Sequence, residues 1–461
     1  MSDKRQKTQL KLAFPMERKG EAPMHIEGGL ETDMVESVTG SRKSTERLME
    51  EICSEENLRK ANHRVRANKG SPGVDGMTVH ELKGYLEENW SSIREKLMNA
   101  AYKPQPVKRV EIPKASGGTR KLGIPTVTDR LIQQMILQVL QPIFEPKFSD
   151  SSYGFRPGRS AHQAIAQAQE YVTEGHTWVV DIDLEKFFDR VNHDMLMAKV
   201  AKEVSDKRLL KLLRAFLNAG VLENGLVQPS TEGTPQGGPL SPLLSNIFLN
   251  ELDRELEKRG LKFVRYADDC NIYIRSERAG GRVMESISRF ITKKLKLKVN
   301  EAKSAVGQPH KRKFLSFSFT NEPKPRRRIA PEAKERFRKR VRDKTRRNRG
   351  VSIEQTVEEL AKYLNGWRAY FGFCETPSVL RELDSWIRRR LRAIIWHQWK
   401  RGRRRYAELR KLGLSKDLAA RMAGSQHGAW RLSRTKAMSI AFPIKFFDSL
   451  KLPRVERRST A

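Results

Sequence analysis

The sequence predicts an α+β fold, in which the middle of the chain mixes strands with helices and helices dominate after about residue 330. Two observations predict this class. Short runs rich in β-branched and aromatic residues, bounded by Gly, Pro or Asp, recur between residues 107 and 319. Apolar residues at helical spacing fill the intervals and continue toward the C-terminus. With 461 residues, 38% of them hydrophobic, the chain can bury substantial cores.

Two of the strand-type segments predict hairpins. Residues 107–126, VKRVEIPKASGGTRKLGIPT, place an SGGT turn between two strands. Residues 262–276, KFVRYADDCNIYIRS, place Asp268 and Asp269 between two runs of strand-forming residues. Because Asp is poor in strands and favoured in turns, we expect the two acids at the tip of this hairpin.

Three further segments have simpler patterns. Residues 128–145 predict a helix, because their apolar side chains recur at helical spacing. Residues 176–189, HTWVVDIDLEKFFD, predict a strand that becomes helical near Leu184. FLSFSF, at residues 314–319, predicts a strand.

A helix is also predicted after Leu240. Ser241 is expected to cap its N-terminus, Pro242 suits the first turn and Gly260 suits the end. The apolar face of this helix comprises Leu244, Ile247, Phe248, Leu252 and Leu256.

Charge is the dominant feature of the composition. The chain has 90 Lys and Arg against 55 Asp and Glu, and a net charge of +35 calls for a polyanionic partner. Nucleic acid and an anionic membrane both qualify. No run of 18 apolar residues and no signal-peptide core is present, so no membrane association is expected. The three cysteines form no CxxC pair, which predicts a reducing cytoplasm and no structural zinc module.

Basic residues are concentrated late in the chain. Residues 323–350 carry 14 Lys and Arg against 3 Asp and Glu, and residues 386–405 carry 9 without an acid. A charge run is often only a solvated face. Here Trp386, Trp396 and Trp399 are interleaved with the arginines, a combination that suits stacking on unpaired bases together with phosphate contact.

Four acidic residues have the arrangement that nucleotidyl transfer needs. That reaction uses two hard cations, and Mg²⁺ binds carboxylate oxygens. Asp181 and Asp183 come at the end of one predicted strand, and Asp268 and Asp269 at the tip of the hairpin. Side by side in one sheet, these strands would form a carboxylate cluster. Taken singly, YADD could be an ordinary turn and Asp183 a helix cap.

An ordered set of motifs decides between these alternatives. DIDLEKFFDRVNHDML, GTPQGGPLSPLLSNIFLNELD, FVRYADD, LKVNEAKS and FLSFSF resemble, in order, the palm motifs of reverse transcriptases. IPKASGGTRKLGIPTVTDRLIQQ and SSYGFRPGRSAHQAI resemble the fingers motifs of the group II intron-encoded branch. YLNGWRAYFGF resembles its maturase (X) region, which serves as the thumb, and GAWRLSRTKAM resembles its short C-terminal DNA-binding region. The resemblance covers residues 41–455.

The resemblance implies a right-hand polymerase, with fingers and palm built on an antiparallel sheet and an α-helical thumb/maturase domain after them. The implied boundaries are a flexible N-terminal segment at 1–40, an N-terminal extension and fingers at 41–175, a palm at 176–320, a helical thumb/maturase domain at 321–410 and a basic DNA-binding region at 411–461.

The resemblance also implies a metal site. Asp183, Asp268 and Asp269 would be the catalytic acids. With the backbone carbonyl of Leu184 they would hold two Mg²⁺ ions, for which Mn²⁺ can substitute. Asp181 would be a supporting acid or a purely structural one.

Five residues match the family's nucleotide-binding positions. Lys114 and Arg120 would hold the triphosphate, since charge-assisted donors stabilise phosphoryl oxygens. Gln236 would lie near the incoming nucleotide and the template. Phe188 would exclude a 2′-hydroxyl by its bulk and so favour dNTPs. Lys303 would donate a proton to pyrophosphate, or would be an ordinary solvent-exposed lysine.

Nucleic-acid contacts are expected from Arg156 in YGFRPGRS and from the thumb residues Trp367, Arg388, Arg389 and Arg390. The implied partners are group II intron RNA in a ribonucleoprotein, an RNA template with a DNA primer, a DNA target and dNTPs. The implied location is the bacterial cytoplasm, in association with the nucleoid.

The resemblance therefore implies an RNA-directed DNA polymerase that also acts as a maturase in splicing and retrohoming. The alternatives are a non-enzymatic RNA-binding splicing factor and a retron or diversity-generating reverse transcriptase. The intact catalytic acids argue against the first, and YGFRPGRS with the thumb after residue 350 argues against the second. The 461 residues contain no Cys-pair and His pattern of an HNH-type endonuclease, and their length resembles the class associated with group IIC introns.

Overall fold

The computed structural model describes residues 45–113, 119–223, 226–228, 232–234 and 237–456. The predicted flexible segment at residues 1–40 lies outside the described residues. Up to residue 260 the elements are α1 (Leu48–Ile52), α2 (Glu55–Ala67), α3 (Leu82–Met98), β1 (Val107–Pro113), β2 (Thr119–Ile124), α4 (Val127–Phe144), α5 (Ala161–Thr173), β3 (Trp178–Ile182), α6 (Phe187–Arg190), α7 (His193–Ala201), α8 (Lys207–Asn218), β4 (Val221–Glu223), β5 (Leu226–Gln228) and α9 (Ser241–Lys258).

The elements after residue 260 continue the same numbering. They are β6 (Lys262–Tyr266), β7 (Asp269–Ile274), α10 (Glu277–Lys293), β8 (Ala305–Gly307), β9 (Phe317–Phe319), β10 (Arg327–Ile329), α11 (Pro331–Lys344), α12 (Ile353–Phe371), α13 (Pro377–Gln398), α14 (Gly402–Lys411), α15 (Lys416–Ala423), α16 (Ala429–Leu432), α17 (Lys436–Ala441) and α18 (Ile444–Ser449).

The described residues divide into two compact units, each made of separate stretches of chain. The first contains the described residues up to Gly158 together with Asp183–Gly260 and Ile287–Asn300. The second contains Arg159–Ile182, Leu261–Ser286 and the described residues from Glu301 onward. No helix in the described part of the chain is long and apolar enough to cross a membrane.

The first unit contains a small sheet with the strand order β2–β1–β4–β5. Its antiparallel pair β1 and β2 confirms the hairpin predicted for residues 107–126. The helix predicted at 128–145 is α4, which begins where the Thr126 hydroxyl accepts a hydrogen bond from the Asp129 N–H. α4 is buried around most of its circumference, because α1, α2 and α9 pack against it.

α9 differs from its prediction at the N-terminus. Ser241 is the first helical residue and not the cap, because Leu240 already has helical dihedral angles and takes the cap position. Pro242 lies in the first turn as predicted, and Gly260, with φ +66°, follows the end of the helix. The predicted apolar face is buried: Leu244, Ile247, Phe248, Leu252 and Leu256.

The second unit is organised around an antiparallel sheet with the strand order β6–β7–β3–β8. β6 and β7 confirm the hairpin predicted for residues 262–276. α5 packs against both of these strands. α10 approaches the sheet so closely that a Cβ on Gly280 would lie 2.5 Å from Cγ1 of Val306.

The segment 176–189 confirms its predicted strand as β3, but its helix begins later than predicted. Leu184 is not helical, because it forms an antiparallel bridge with Val299. Lys186, with φ +49°, separates this bridge from α6, which begins at Phe187.

The strand predicted from FLSFSF is only half as long as expected. Leu315 and Ser316 have φ of +48° and +66°, values incompatible with an extended strand. Phe314 bridges to Phe317 across this turn, and only the last three residues form β9, which pairs antiparallel with β10. Beyond Pro331 the described chain contains helices and no strand, as predicted.

Candidate active site and nucleic-acid contacts

The β6–β7 hairpin presents two adjacent carboxylates at the end of the sheet in the second unit. Tyr266 pairs with Asp269, so Ala267 and Asp268 are the two turn residues and Asp269 is the first residue of β7. Ala267 has φ +58°, the left-handed value that tight two-residue hairpins need at the first turn position. Asp268 is partly exposed and Asp269 is exposed.

A buried arginine supports this turn. The Arg265 side chain is fully buried, and its Nη1 donates a hydrogen bond of 2.8 Å to the carbonyl oxygen of Ala267. A charged donor forms a strong hydrogen bond, and here it holds the residue with the strained backbone. Arg265 was not among the predicted site residues, although an arginine flanked by apolar residues in FVRYA was a usable signal.

The register of the sheet relates this hairpin to the end of β3. Ile182 lies opposite Cys270 in the β3–β7 pair. In the chain, Asp183 directly follows Ile182 and Asp269 directly precedes Cys270. Cys270 is 1% exposed, so this cysteine serves as a packed core residue.

Asp181 is occupied by an ion pair within the second unit. Nη2 of Arg312 donates to Oδ2 of Asp181 at 2.5 Å and to the carbonyl oxygen of Lys303 at 2.8 Å. Asp181 therefore links β3 to the segment around β8, which favours the structural alternative for this acid. Lys303 is exposed, and its predicted role remains a prediction.

Leu184 has its carbonyl directed away from Val299. The hydrogen bonds of this bridge are made by the residues on either side of Leu184 and Val299. The Asn300 N–H donates to the Asp183 carbonyl, and the Glu185 N–H donates to the Lys298 carbonyl, both at 2.8 Å. In such an antiparallel pair the central residue's own N–H and C=O point to the opposite side. The role of the Leu184 carbonyl as a metal ligand remains a prediction.

Phe188 is presented on the short helix α6 in the first unit. Its ring packs edge-on against Phe187 with centroids 5.2 Å apart, and Phe187 packs against Phe248 of α9 at 6.3 Å. Phe187 is buried, whereas Phe188 is partly exposed. The Phe188 carbonyl accepts a hydrogen bond of 2.7 Å from the Thr234 N–H.

The predicted nucleotide-binding residues are only partly described. Lys114 and Gln236 lie outside the described residues, and Arg120 lies in β2, where it pairs with Ile112. Gly237, next to Gln236, approaches β2 so closely that a Cβ would lie 2.4 Å from the carbonyl oxygen of Gly123. The roles of these residues remain predictions.

Arg156 does not have the exposed position that backbone contact requires. Its side chain is 4% exposed, and Nε donates to Oε1 of Glu145 at 2.8 Å. Nη1 donates to the carbonyl oxygens of Ser149 and Ser152 at 2.5 and 2.7 Å. The guanidinium thus holds a loop of the first unit together, which argues against the predicted contact of Arg156 with nucleic acid.

Trp367, Trp396 and Trp399 are core residues of the helical region. Trp367 is 8% exposed and stacks between Phe337 and Phe371, with centroids 4.4 and 4.6 Å away. Trp396 and Trp399 are 1% and 8% exposed. The helices after Pro331 bury these three rings in a shared core, which argues against the predicted nucleic-acid contact of Trp367 and the predicted base stacking of Trp396 and Trp399. Trp386, the other ring of the stacking prediction, is partly buried, and its contact with bases remains a prediction.

The three consecutive arginines of α13 are partly buried and engaged within the helical region. Arg388 lies beside the Asp384 carboxylate. The Arg389 guanidinium lies 3.8 Å from the centroid of Trp430, and Nε of Arg390 donates to Oγ1 of Thr345 at 2.6 Å. These contacts order the arginines, and contact with nucleic acid remains a prediction.

Comparison with protein families identifies two regions of the chain. Residues 112–319 match the family described as reverse transcriptase (RNA-dependent DNA polymerase). Residues 334–413 match the group II intron, maturase-specific domain. The first region contains β2 to β9 with the carboxylate hairpin, and the second contains α12, α13 and α14. The chain thus has a mixed α and β polymerase region followed by a helical region.

Individual relatives agree with these matches. Protein YkfC of Escherichia coli K12 is 42% identical over 222 residues, which are 47% of this chain and 58% of that protein. The group II intron-encoded protein LtrA of Lactococcus lactis is 40% identical over 200 residues, which are 43% of this chain and 33% of that protein. The matches therefore span about a third to six tenths of these relatives.

A solved structure, a partial Cas6-RT-Cas1–Cas2 complex, has a TM-score of 0.34 and 22% identity over 53% of this chain and 42% of its own. A likeness this low carries no argument. The two family matches identify the two regions of the chain, and they occur in the order that the sequence motifs predict. The chain thus contains a reverse transcriptase region followed by a group II intron maturase region.

Proposed function

We propose that this protein is an RNA-directed DNA polymerase that also binds its intron RNA as a maturase and so assists splicing and retrohoming. The observation that carries the polymerase half is the hairpin turn with adjacent Asp268 and Asp269, in register with the strand that Asp183 follows. The match to the maturase-specific domain supports the second half.

The proposed arrangement is a right hand. Fingers with an N-terminal extension would occupy residues 41–175, the palm 176–320, the helical thumb/maturase domain 321–410 and a DNA-binding region 411–461. The partners would be the intron RNA, an RNA template with its DNA primer, a DNA target and dNTPs.

Two Mg²⁺ ions, which Mn²⁺ can replace, would be held by Asp183, Asp268, Asp269 and the Leu184 carbonyl. The donor set fits, because all four residues offer hard oxygen ligands and Mg²⁺ needs only one or two carboxylates besides substrate phosphates and water. Among the described residues no three His, Cys, Asp or Glu side chains form a ready-made metal cluster, so substrate phosphates would have to complete the coordination. When bound, the ions would activate the attacking hydroxyl and stabilise the leaving pyrophosphate.

The chain's own residues would select and orient the nucleotide. Lys114 and Arg120 would hold the triphosphate, and Gln236 would contact the incoming nucleotide. Phe188, which is partly exposed and supported by Phe187, would exclude the 2′-hydroxyl of an rNTP. Lys303 would protonate the departing pyrophosphate.

α11 offers a surface for RNA. It buries Ala333, Phe337 and Val341 along one side, while Lys339 and Arg340 are exposed. Each phosphate contact of a basic residue on single-stranded RNA changes the slope of log affinity against log salt by about 0.7. Replacing both by Gln should therefore weaken RNA binding and reduce the slope by roughly 1.4.

Primer extension tests the polymerase. Purified protein should incorporate dNTPs on a primed RNA template with Mg²⁺, lose this activity in EDTA and regain it with Mn²⁺. Asp268→Asn should abolish synthesis, whereas Glu277→Gln, which removes an exposed acid of the same unit, should retain it. Absence of synthesis by the wild-type protein would refute the enzymatic proposal.

A splicing assay tests whether the two activities are separate. Protein with both Asp268→Ala and Asp269→Ala should still promote splicing of the intron RNA, because RNA binding is assigned to other surfaces. If the double variant folds but loses splicing assistance together with DNA synthesis, the separation of roles is wrong.

A further inference from the structure

The segment 232–234 lies along the chain that follows Phe188. Glu232 forms an antiparallel bridge with Asn192. Gly233 N–H donates to the carbonyl oxygen of Val191 at 2.8 Å, and Thr234 N–H donates to that of Phe188 at 2.7 Å. The main chain of Phe188 is therefore held by a neighbouring strand-like segment and not only by its own short helix.

Gly233 is the point of closest approach. Its φ is +90°, which L-residues rarely adopt. A Cβ at this position would lie 2.7 Å from the Phe188 carbonyl oxygen and 3.0 Å from Cα of Asp189. Both atoms belong to the backbone, so no side-chain rotation could relieve the contact. A side chain at 233 therefore requires this segment and the Phe188 peptide to move apart.

A buried histidine holds Gly233 from the other side. His193 is 4% exposed, and its Nε2 lies 2.6 Å from the Gly233 carbonyl oxygen. Because a carbonyl oxygen only accepts, Nε2 carries the proton in this hydrogen bond. Nδ1 lies 3.1 Å from Oδ1 of Asn218, and the two contacts together fix the ring plane. Gly233 is thus clamped between His193 and the Phe188 peptide.

We propose that Gly233, backed by His193, is a specificity-determining residue that positions Phe188 and thereby sets the preference for dNTPs over rNTPs. The inference rests on the proposed function of Phe188 as the sugar gate. Exclusion by bulk requires a rigid ring, since a ring that can retreat by a few tenths of an ångström admits a hydroxyl. The Phe188 ring is backed by Phe187, so the remaining freedom lies in its main chain, which Gly233 and Thr234 restrain.

Gly233→Ala tests the proposal, with Gly260→Ala as the matched control. Gly260 also has positive φ, +66°, but an added Cβ there meets nothing within 4 Å. The measurement is kcat/KM for a dNTP and for the rNTP of the same base in primer extension. Gly233→Ala should lower the dNTP-to-rNTP ratio by about tenfold or more, the scale on which small steric differences discriminate substrates. Gly260→Ala should leave the ratio unchanged.

His193→Phe provides a second, independent variant. It keeps a ring in the buried position and removes the hydrogen bond to Gly233. The ratio should fall in the same direction by on the order of threefold, the equivalent of one modest hydrogen bond. The change should appear as a lower KM for the rNTP with kcat for the dNTP largely retained, which a general loss of structure would not produce. If Gly233→Ala does not fold, the dNTP-to-rNTP ratio of His193→Phe is the test of the proposal.

The outcomes separate this inference from the function on which it rests. If the wild-type protein makes no DNA, the polymerase proposal fails. If Phe188→Ala leaves the dNTP-to-rNTP ratio unchanged, Phe188 is not the gate and the inference falls with it. If Phe188→Ala lowers the ratio while Gly233→Ala and His193→Phe both keep the wild-type value, the inference about Gly233 and His193 is overturned. The role of Phe188 in excluding rNTPs is then retained.

Discussion

Arg156→Met should destabilise the first unit without specifically weakening RNA binding. Methionine keeps much of the length of the side chain but removes the charge and every donor. Three short hydrogen bonds disappear, to Oε1 of Glu145 and to the carbonyl oxygens of Ser149 and Ser152. Ser149 and Ser152 are buried, so water cannot easily replace the lost donor.

The magnitude follows from burial. Removing one partner of a buried ion pair costs about 3–5 kcal/mol, because the remaining charge and acceptors are left unsatisfied. Glu145 is 24% exposed, which allows some solvation and places the effect toward the lower end of that range. For a unit of this size, 3–5 kcal/mol corresponds to a fall in melting temperature of roughly 6 to 20 °C.

The assay compares Arg156→Met with Lys211→Met, which removes an exposed positive charge from α8 of the same unit. Thermal unfolding should distinguish the two variants, while RNA affinity measured over a salt series below the melting transition should not. The reasoning is refuted if Arg156→Met melts within about 1 °C of wild type and its salt slope falls by roughly 0.7 to 0.9, the signature of a lost phosphate contact.

Three further predictions concern the buried acid Asp206, the close approach of Gly237 to β2 and the contacts of Asp384 near the C-terminus. Burial raises the pKa of Asp206, but hydrogen bonds from Arg208 and from the Met49 N–H lower it by more than burial raises it. The net pKa therefore lies below the ordinary 3.8. The ionised Asp206 carboxylate therefore stabilises the fold above its unfolded-state pKa, and this stabilisation is lost as pH falls through its folded-state pKa. In an acid titration of the free energy of unfolding, the wild type should lose stability more steeply than Asp206→Asn. Gly237 has φ +127°, and a Cβ there would lie 2.4 Å from the Gly123 carbonyl oxygen. Gly237→Ala should therefore lower the free energy of unfolding by at least the roughly 1–3 kcal/mol of such strain, and with it both the melting temperature and DNA synthesis. Asp384 accepts hydrogen bonds from the N–H groups of Val455 and Glu456, so Asp384→Ala should speed proteolysis near the C-terminus, and equal cleavage rates would contradict this anchoring role.

Local patterns predicted the elements whose partners are close in sequence. The β6–β7 hairpin followed from the position of two aspartates between strand-forming runs, and the register confirmed it with Tyr266 opposite Asp269. The buried face of α9 followed from helical spacing. One error occurred where a distant segment intervenes: Leu184 is not helical because Val299 pairs with it.

Charged and aromatic residues were the hardest to place, because their composition is compatible with two environments. Trp396 among arginines suggested base stacking, but it is buried in the helical core. Arg156 suggested phosphate contact, but buried carbonyls surround it. Neither the burial of a ring nor the partners of a guanidinium can be read from neighbours in the chain.

The sequence by itself indicated the two family regions, the order of the motifs and the acids proposed for catalysis, because these depend on residue types at short spacing. Only the tertiary structure decided what supports them. Arg265 holds the carbonyl of Ala267 in the hairpin turn that contains Asp268. Gly233 and His193 clamp the peptide of Phe188 from segments up to 45 residues away. Such supports depend on the three-dimensional approach of backbone atoms, and that approach leaves no pattern in the local sequence.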